Sequence, residues 1–425
     1  MKKLFILMLA GAMVLAITMP ASAAVEHIFG GYWRVRAFTQ NSFSGEDALE
    51  TQNLTRTDTR TRLYYTAKFS DKFSFVNKFE FDAVFGTGGS QYGDVGADGI
   101  AVEVKNSYAD FTIGSIRTTL GVQGYTIARG FVFDDDFSGA VVRWNADWGT
   151  FPFIWIKLNE GGTGLNMNDF DVDGFGVNPT FKISDAITLN PFLMWWYSDD
   201  ASGLANAAGA GVTANDLSTY HIGVNAEIKA DPFSIWLTGI YQGGDFDLVG
   251  GASQDVSAYL LAGGAKTKIG PFGIHGEAFY ASGDDDATDG DNDAFFVPLA
   301  NRGGGVGQSY YWAEIMGYGV FDNQLSNGTP GNQVTDIVAG NIGFTYKLME
   351  NLDFRGDLWS ASLAQDNAAG DSYLGTELDG KLVYKIMDNL NLDLVAAYLF
   401  AGEATEQEPD AANPWELGAR ISLSF

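Results

Sequence analysis

The residues Pro414-Trp415-Glu416-Leu417-Gly418-Ala419-Arg420-Ile421-Ser422-Leu423-Ser424-Phe425 decide the fold. In an extended strand successive side chains point to opposite faces. Trp415, Leu417, Ala419, Ile421, Leu423 and Phe425 therefore share one face, and Glu416, Gly418, Arg420, Ser422 and Ser424 share the other. The alternation has period two and runs to the last residue. Chain ends usually fray into water. A barrel in lipid needs the opposite, because its last strand must pair with the first to remove the sheet edge and must show lipid an apolar face.

The same alternation recurs upstream. Arg56, Asp58, Arg60, Arg62, Tyr64 and Lys68 fall opposite Thr57, Thr59, Thr61, Leu63, Tyr65 and Phe69. Phe73, Phe75, Phe79, Phe81 and Phe85 fall opposite Ser74, Lys78, Glu80 and Asp82. Tyr220, Ile222, Val224 and Ile228 fall opposite His221, Asn225, Glu227 and Lys229. Leu374, Leu378, Leu382, Tyr384 and Ile386 fall opposite Glu377, Asp379, Lys381 and Lys385. Strands are expected near 28–40, 56–69, 73–85, 100–112, 116–123, 137–146, 151–159, 171–183, 187–198, 218–229, 233–243, 254–268, 272–281, 333–348, 352–362, 372–386, 390–401 and 414–425. That makes about 18, with 16 as the alternative count. The region 295–331 reads as one long loop, or as a loop holding a strand at Tyr310–Met316.

Two kinds of punctuation separate the strands. Tight turns such as Ser70-Asp71-Lys72, Ser184-Asp185-Ala186, Met349-Glu350-Asn351 and Met387-Asp388-Asn389 recur, with Asp231-Pro232 and Gly270-Pro271 as variants. Turn residues of this type favour short reversals. The other connections are long, polar and rich in Gly and Asp: 41–55, 86–99, 199–216, 283–307 and 402–413. Short turns at one end and long loops at the other describe a transmembrane antiparallel β-barrel, all-β, with turns in the periplasm and loops outside. Eighteen strands enclose a lumen too wide for side chains to fill, so the polar face is expected to be the wetted inside. Trp33, Trp195, Tyr241, Trp359, Tyr398 and Trp415 sit near strand ends, where aromatic girdles lie.

Composition agrees. Of 425 residues 46% are hydrophobic and only 18% charged, with 53 Gly, 31 Phe and no Cys, which removes disulfides and thiolate metal sites. The net charge of −28 argues against nucleic-acid binding, which needs a basic footprint. At the start, Lys2 and Lys3 precede an apolar run over 4–19 and then Pro20-Ala21-Ser22-Ala23-Ala24. This reads as a signal peptide over 1–23, cleaved after Ala23 or Ala24, followed by one barrel domain over 24–425. The run is shorter than the roughly 20 residues a membrane helix needs.

Signal peptide, acidic turns and terminal Phe425 together resemble a Gram-negative outer-membrane porin. The pairs Arg34/Arg36 and Arg60/Arg62 and the strand count are similar to the alginate-export type of eighteen-stranded channel. This narrower resemblance covers only about the first 145 residues. The resemblance implies a water-filled channel for passive diffusion of small hydrophilic solutes and ions, without cofactor. A selective channel for an anionic polysaccharide or organic acid, and a structural or adhesive barrel without transport, are the alternatives. The implied surroundings are outer-membrane lipid and lipopolysaccharide, and many porins are homotrimers.

Candidate functional residues follow from charge placement. Arg34, Arg36, Arg60, Arg62, Arg117 and Arg143 read as lumen-facing by alternation, and four of them lie on neighbouring strands. They form either a basic ladder that guides anions or wall charges neutralised by Glu80, Asp82 and Glu103. Gly124–Phe137 reads as the third external loop and carries Arg129 and Asp134-Asp135-Asp136. In general porins the third loop folds into the barrel, so the resemblance implies an acidic face opposite the arginine wall. The run 283–293 holds six Asp, and Asp285, Asp289 and Asp291 partly match a calcium loop with Gly290 at its turn. The pattern fails at Ala287 and lacks a closing Glu, so a solvated loop sharing divalent cations with lipopolysaccharide is the competing reading. His27, His221 and His275 are scattered, and Ser218 near His221 has no visible orienting group, so no enzyme is expected.

Overall fold

The computed structural model describes residues 25–43, 45, 53–86, 93, 95, 102–161, 170–202, 204, 208, 212–286, 289–298, 310–317, 319–321, 334–406 and 411–425. The expected signal peptide lies outside the described residues.

Among the described residues, twenty strands follow one another in chain order. They are β1 (Glu26–Asn41), β2 (Leu54–Ser70), β3 (Phe73–Val84), β4 (Glu103–Ile113), β5 (Ile116–Ile127), β6 (Phe133–Ala146), β7 (Gly149–Asn159), β8 (Val172–Val177), β9 (Thr180–Lys182) and β10 (Ile187–Ser198). β11 (Ala214–Ala230), β12 (Phe233–Leu248), β13 (Ser253–Ile269), β14 (Phe272–Ala281), β15 (Asp291–Asn292), β16 (Ile337–Met349), β17 (Leu352–Leu363), β18 (Tyr373–Met387), β19 (Leu390–Ala401) and β20 (Trp415–Ser424) complete the set. Except for β8 with β9 and for β15, each pairs antiparallel with the next, and β1 pairs with β20 from Tyr32 opposite Ser424 to Asn41 opposite Trp415. The sheet thus has no free edge.

β8 and β9 both lie between β7 and β10, so they are one stave broken at Asn178-Pro179, where proline has no N–H to give the ladder. β15 is a two-residue bridge beside β13, outside the wall order, because β14 pairs directly with β16. The wall therefore has the eighteen staves that the alternation predicts. Short connections at 71–72, 114–115, 147–148, 183–186, 231–232, 270–271, 350–351 and 388–389 share one end of it.

The faces separate as the sequence demands. Leu63, Ile222, Leu237, Leu261, Ile342, Leu358, Leu378 and Leu417 are exposed on the outside, while Arg36, Asp58, Glu80, Glu377 and Asp393 are buried on the inside. In water such an exterior would be a large aggregation surface. In lipid it is the required face, and a charge placed there near the midplane costs about 2–4 kcal/mol.

Four expectations need correction. First, Gly124–Phe137 is not a loop. β5 and β6 stay paired out to Ile127 opposite Phe133, leaving only 128–132 as the turn. β4 leaves β5 after Val122, and β7 joins β6 only from Ser138. The end of the hairpin therefore has no neighbour in the wall and folds inward. Gly121 and Gly139 face each other where it departs. Gly121 has φ 130°, and a Cβ there would lie 2.3 Å from the Ser107 carbonyl oxygen; one at Gly139 would lie 2.0 Å from that of Trp155. Only glycine permits so close an approach of backbones.

Second, Tyr310–Met316 is not a strand; it is irregular, bending at 313–315 and turning at 316. Third, Trp359 belongs to no girdle: it is buried in the lumen against Trp312, with ring centroids 5.3 Å apart. Fourth, Leu374 is buried inward while Tyr373 is exposed outward. A bulge between Ala361/Ser362 and their partners, with Gly375 at φ 135°, shifts the alternation there by one residue.

The lumen is also not uniformly wet. Ile127, Phe131 and Phe133 of the hairpin pack with Trp196, Phe279, Trp312, Ile315 and Trp359 in one buried cluster. Two inward-folded segments thus fill part of the bore with an apolar core, leaving the charged wall of β1–β5 and β16–β20 facing them.

Candidate functional site

Strand register builds the arginine wall. Arg36 of β1 lies opposite Asp58 of β2, and Arg60 and Arg62 of β2 lie opposite Asp82 and Glu80 of β3. Arg36 donates to both Asp58 oxygens at 2.9 Å. Arg60 donates to both Asp82 oxygens at 2.7 and 2.5 Å and lies 3.1 Å from Glu80. Arg62 pairs with the other oxygen of Glu80. Such forked pairs fix both side chains. Arg34 lies opposite Arg60, so two like charges face each other across the ladder, an arrangement tolerable only with these acids alongside. Arg34, Arg36, Arg56 and Arg60 nevertheless line a cavity of about 310 Å³ with Asp58 and Asp82. The wall is charged and internally compensated; Arg56 and Arg60 are partly exposed, while Arg34 and Arg36 are buried.

The remaining arginines spread around the bore. Arg117 makes a forked pair with Asp110 at 2.9 and 2.5 Å. Arg143 donates to Thr119 at 3.2 Å and sits 5.7 Å above the Tyr125 ring. Among the described residues Glu103 pairs with Lys105, at 3.3 Å, and with no arginine.

The hairpin does not turn its acids toward the arginine wall. Asp134 accepts from the Thr126 hydroxyl at 2.7 Å, and Asp135 accepts the backbone N–H of Asp136. Asp136 meets Lys105 at 3.1 Å and accepts from Asn106 at 2.7 Å. Arg129, at the tip, reaches across the lumen: it donates to Glu227 at 3.2 Å and stacks 4.3 Å over Trp236. Ala128 and Arg129 hold φ of 53° and 59°, a left-handed pair that non-glycine residues avoid unless their surroundings enforce it.

A second inward segment, described over 310–317 and 319–321, runs from β14 toward β1. Tyr310 stacks on Phe131 at 3.9 Å, and its hydroxyl bonds Glu277. Three successive backbone N–H groups then point at acids of β18: Glu314 to Asp379 at 3.4 Å, and Ile315 and Met316 to Glu377 at 2.7 and 2.8 Å. The Glu314 carboxylate accepts from Val320 at 2.5 Å. Arg36 donates to the carbonyls of Val320 and Phe321 at 3.1 and 3.0 Å, and Phe321 stacks on Phe38 at 4.7 Å. One arginine thus holds the wall and the segment together. Burial pushes the Glu314 carboxyl above the ordinary carboxylate range.

Other candidates are placed as follows. Asp289 accepts the N–H of Asp291 at 2.9 Å in a local turn, and among the described residues no group of three or more His, Asp or Glu side chains is arranged to hold a metal ion. Ala287 lies outside the described residues. His221 is enclosed: Nδ1 accepts from Trp196 at 3.1 Å and Nε2 meets the Phe296 carbonyl at 2.9 Å. Ser218 bonds Trp195 instead, on the opposite face of β11.

Sequence reasoning missed Asp58, Asp110, Lys105 and the Glu377 clamp as partners. Asp58 and Asp110 were findable, since each lies on the polar face of its strand. Glu377 was not, because its partners are backbone groups 61 and 62 residues away.

No protein-family model matches this sequence, and no curated protein is similar to it in sequence. Its fold is similar to that of several solved bacterial proteins, among them an outer-membrane protein. OpdK of Pseudomonas aeruginosa aligns over 94% of this chain and 98% of its own, at 11% identity and a TM-score of 0.59. OccK8 (OprE) of the same organism aligns over 93% and 98%, at 13% identity and 0.58. OccAB4 of Acinetobacter baumannii aligns over 96% and 100%, at 9% identity and 0.57.

Proposed function

We propose that this chain is an outer-membrane channel through which small hydrophilic solutes and ions diffuse passively, and that it prefers small anions. The observation that carries this reading is the pairing of an apolar exterior with the cavity among Arg34, Arg36, Arg56 and Arg60 on the interior. A closed lipid-facing wall with the partly exposed guanidinium groups of Arg56 and Arg60 inside gives an anion a path it lacks elsewhere in the membrane. OpdK, which shares the fold, has also been solved with vanillate, a carboxylate. The long loops would lie on the lipopolysaccharide side, where Asp284 and Asp293, raised above the usual carboxylate range by burial and neighbouring acids, face further acids.

The test is the reversal potential of single channels in a planar bilayer under a KCl gradient. The wild type is expected to favour chloride. Arg60→Ala with Arg62→Ala removes two lumen cations and leaves Glu80 and Asp82 uncompensated, so the reversal potential should move toward potassium. An unchanged value refutes the role given to the arginine wall.

A further inference from the structure

Below the inward hairpin, near the short-turn end of the barrel, lies a second cavity of about 410 Å³. Arg129, Glu227, Lys229, Ser234, Trp236, Lys266, His275, Glu277 and Arg355 contribute polar or aromatic groups to its lining. Register explains why these residues meet. Lys229 of β11 lies opposite Ser234 of β12, Ser234 opposite Lys266 of β13, and Lys266 opposite His275 of β14. All four are on the lumen face, because their strand neighbours Ile222, Leu237, Leu261 and Ile274 occupy the exposed outer face. Four adjacent staves thus present one row of donors, Lys–Ser–Lys–His, spaced about 4.8 Å per stave.

The charges in this chamber are unequally satisfied. Arg355 is held by Asp357 at 2.6 and 3.2 Å, and His275 lies 2.7 Å from the same carboxylate. Glu277 bonds the Tyr310 hydroxyl. Among the described residues, neither Lys229 nor Lys266 has a carboxylate within 4.0 Å. Arg129 spends one N–H on Glu227 and leaves its other donors without an acceptor among the described residues. The left-handed pair Ala128–Arg129 keeps this guanidinium over the row, anchored on Trp236.

We propose that the row Lys229–Ser234–Lys266–His275, roofed by Arg129, is a binding site for a small oxyanion, a carboxylate or a phosphate, at the inner mouth of the barrel. Two ammonium groups flanking a hydroxyl offer a point-charge cradle to an oxyanion, and the cavity is of the size that holds a small organic molecule. The site is separate from the arginine wall, which lies across the lumen on β1–β3. It deepens the channel reading by giving the path a second station, near the periplasmic exit.

Calorimetric titration of the full chain in detergent tests it, with benzoate and inorganic phosphate as probes, so the result does not depend on conduction. The wild type should bind at least one of the two; benzoate alone marks an organic carboxylate site, and phosphate alone a phosphate site. Lys229→Gln with Lys266→Gln should weaken binding about tenfold or more, the loss of one strong charged contact, and Arg129→Gln should weaken it as well. Both lysines are exposed, so their replacement removes no packing, and retained heat-modifiable migration on gels confirms a folded barrel. Absence of binding by the wild type, or equal binding by the double lysine variant, overturns the proposal. Binding by a barrel that does not conduct would refute the channel reading and leave this site standing.

Discussion

Phe131 and Tyr310 stack ring on ring with centroids 3.9 Å apart, 179 residues apart in sequence and both inside the barrel. This contact joins the two segments that narrow the bore. Replacing a buried Phe by Ala costs about 3–5 kcal/mol of packing. Phe131→Ala should therefore loosen both segments without opening the wall ladder. Single-channel conductance should rise and become noisier, while the barrel keeps its heat-modifiable migration. A conductance equal to the wild type would show that this contact does not set the passage.

Glu377 holds the second segment through two backbone N–H groups. Glu377→Ala leaves both without that acceptor, at about 1–3 kcal/mol for each buried group. Limited proteolysis of the reconstituted protein should then cut within 310–321 while the staves stay protected. Equal protection in wild type and variant argues against the clamp.

Acid should tighten this docking. Burial raises the Glu314 carboxyl, so the docked segment binds a proton more readily than a free one. A group raised in this way stabilises docking fully below the ordinary carboxylate range, and that contribution is lost as pH rises through the raised value. Current noise should fall as pH is lowered from neutral toward 5, and Glu314→Gln should flatten that dependence. A dependence of equal size in the variant would assign it to another group.

Gly121→Val tests how the hairpin leaves the wall. The position has φ 130° and no room for a Cβ. Side chains at such positions cost more than about 1 kcal/mol. The variant should swing the hairpin, withdraw Arg129 from Trp236 and change conductance. Wild-type current through a folded Gly121→Val barrel would show that the bend is not imposed by this glycine.

The wall was legible in sequence because each stave carries its own two-residue rhythm, and the tight turns carry their own residue signatures. The arginine wall was legible for the same reason, since faces follow from parity once strands are placed. Its pairing with Glu80 and Asp82 follows from neighbouring strands. Leu374 was misplaced because a single bulge at Gly375 reverses parity, and a bulge has no strong local signal. The inward segments were hidden for a different reason. Phe131, Trp312 and Ile315 read locally as a few apolar residues in polar surroundings, and the rings that bury them come from β10, β12, β14 and β17. Trp359 looked like a girdle residue because its partner, Trp312, lies on such a segment.

The absence of cysteine from the whole sequence permits one direct measurement of which face is the bore. Arg62→Cys and Leu63→Cys place thiols on adjacent residues of β2, one inward and one outward. A charged, water-soluble methanethiosulfonate reagent added to reconstituted channels should react at position 62 and change the current. It should leave position 63 unmodified in lipid. Reaction at 63 with none at 62 would mean that the apolar face is wet and the charged face is not, and the channel account would fall.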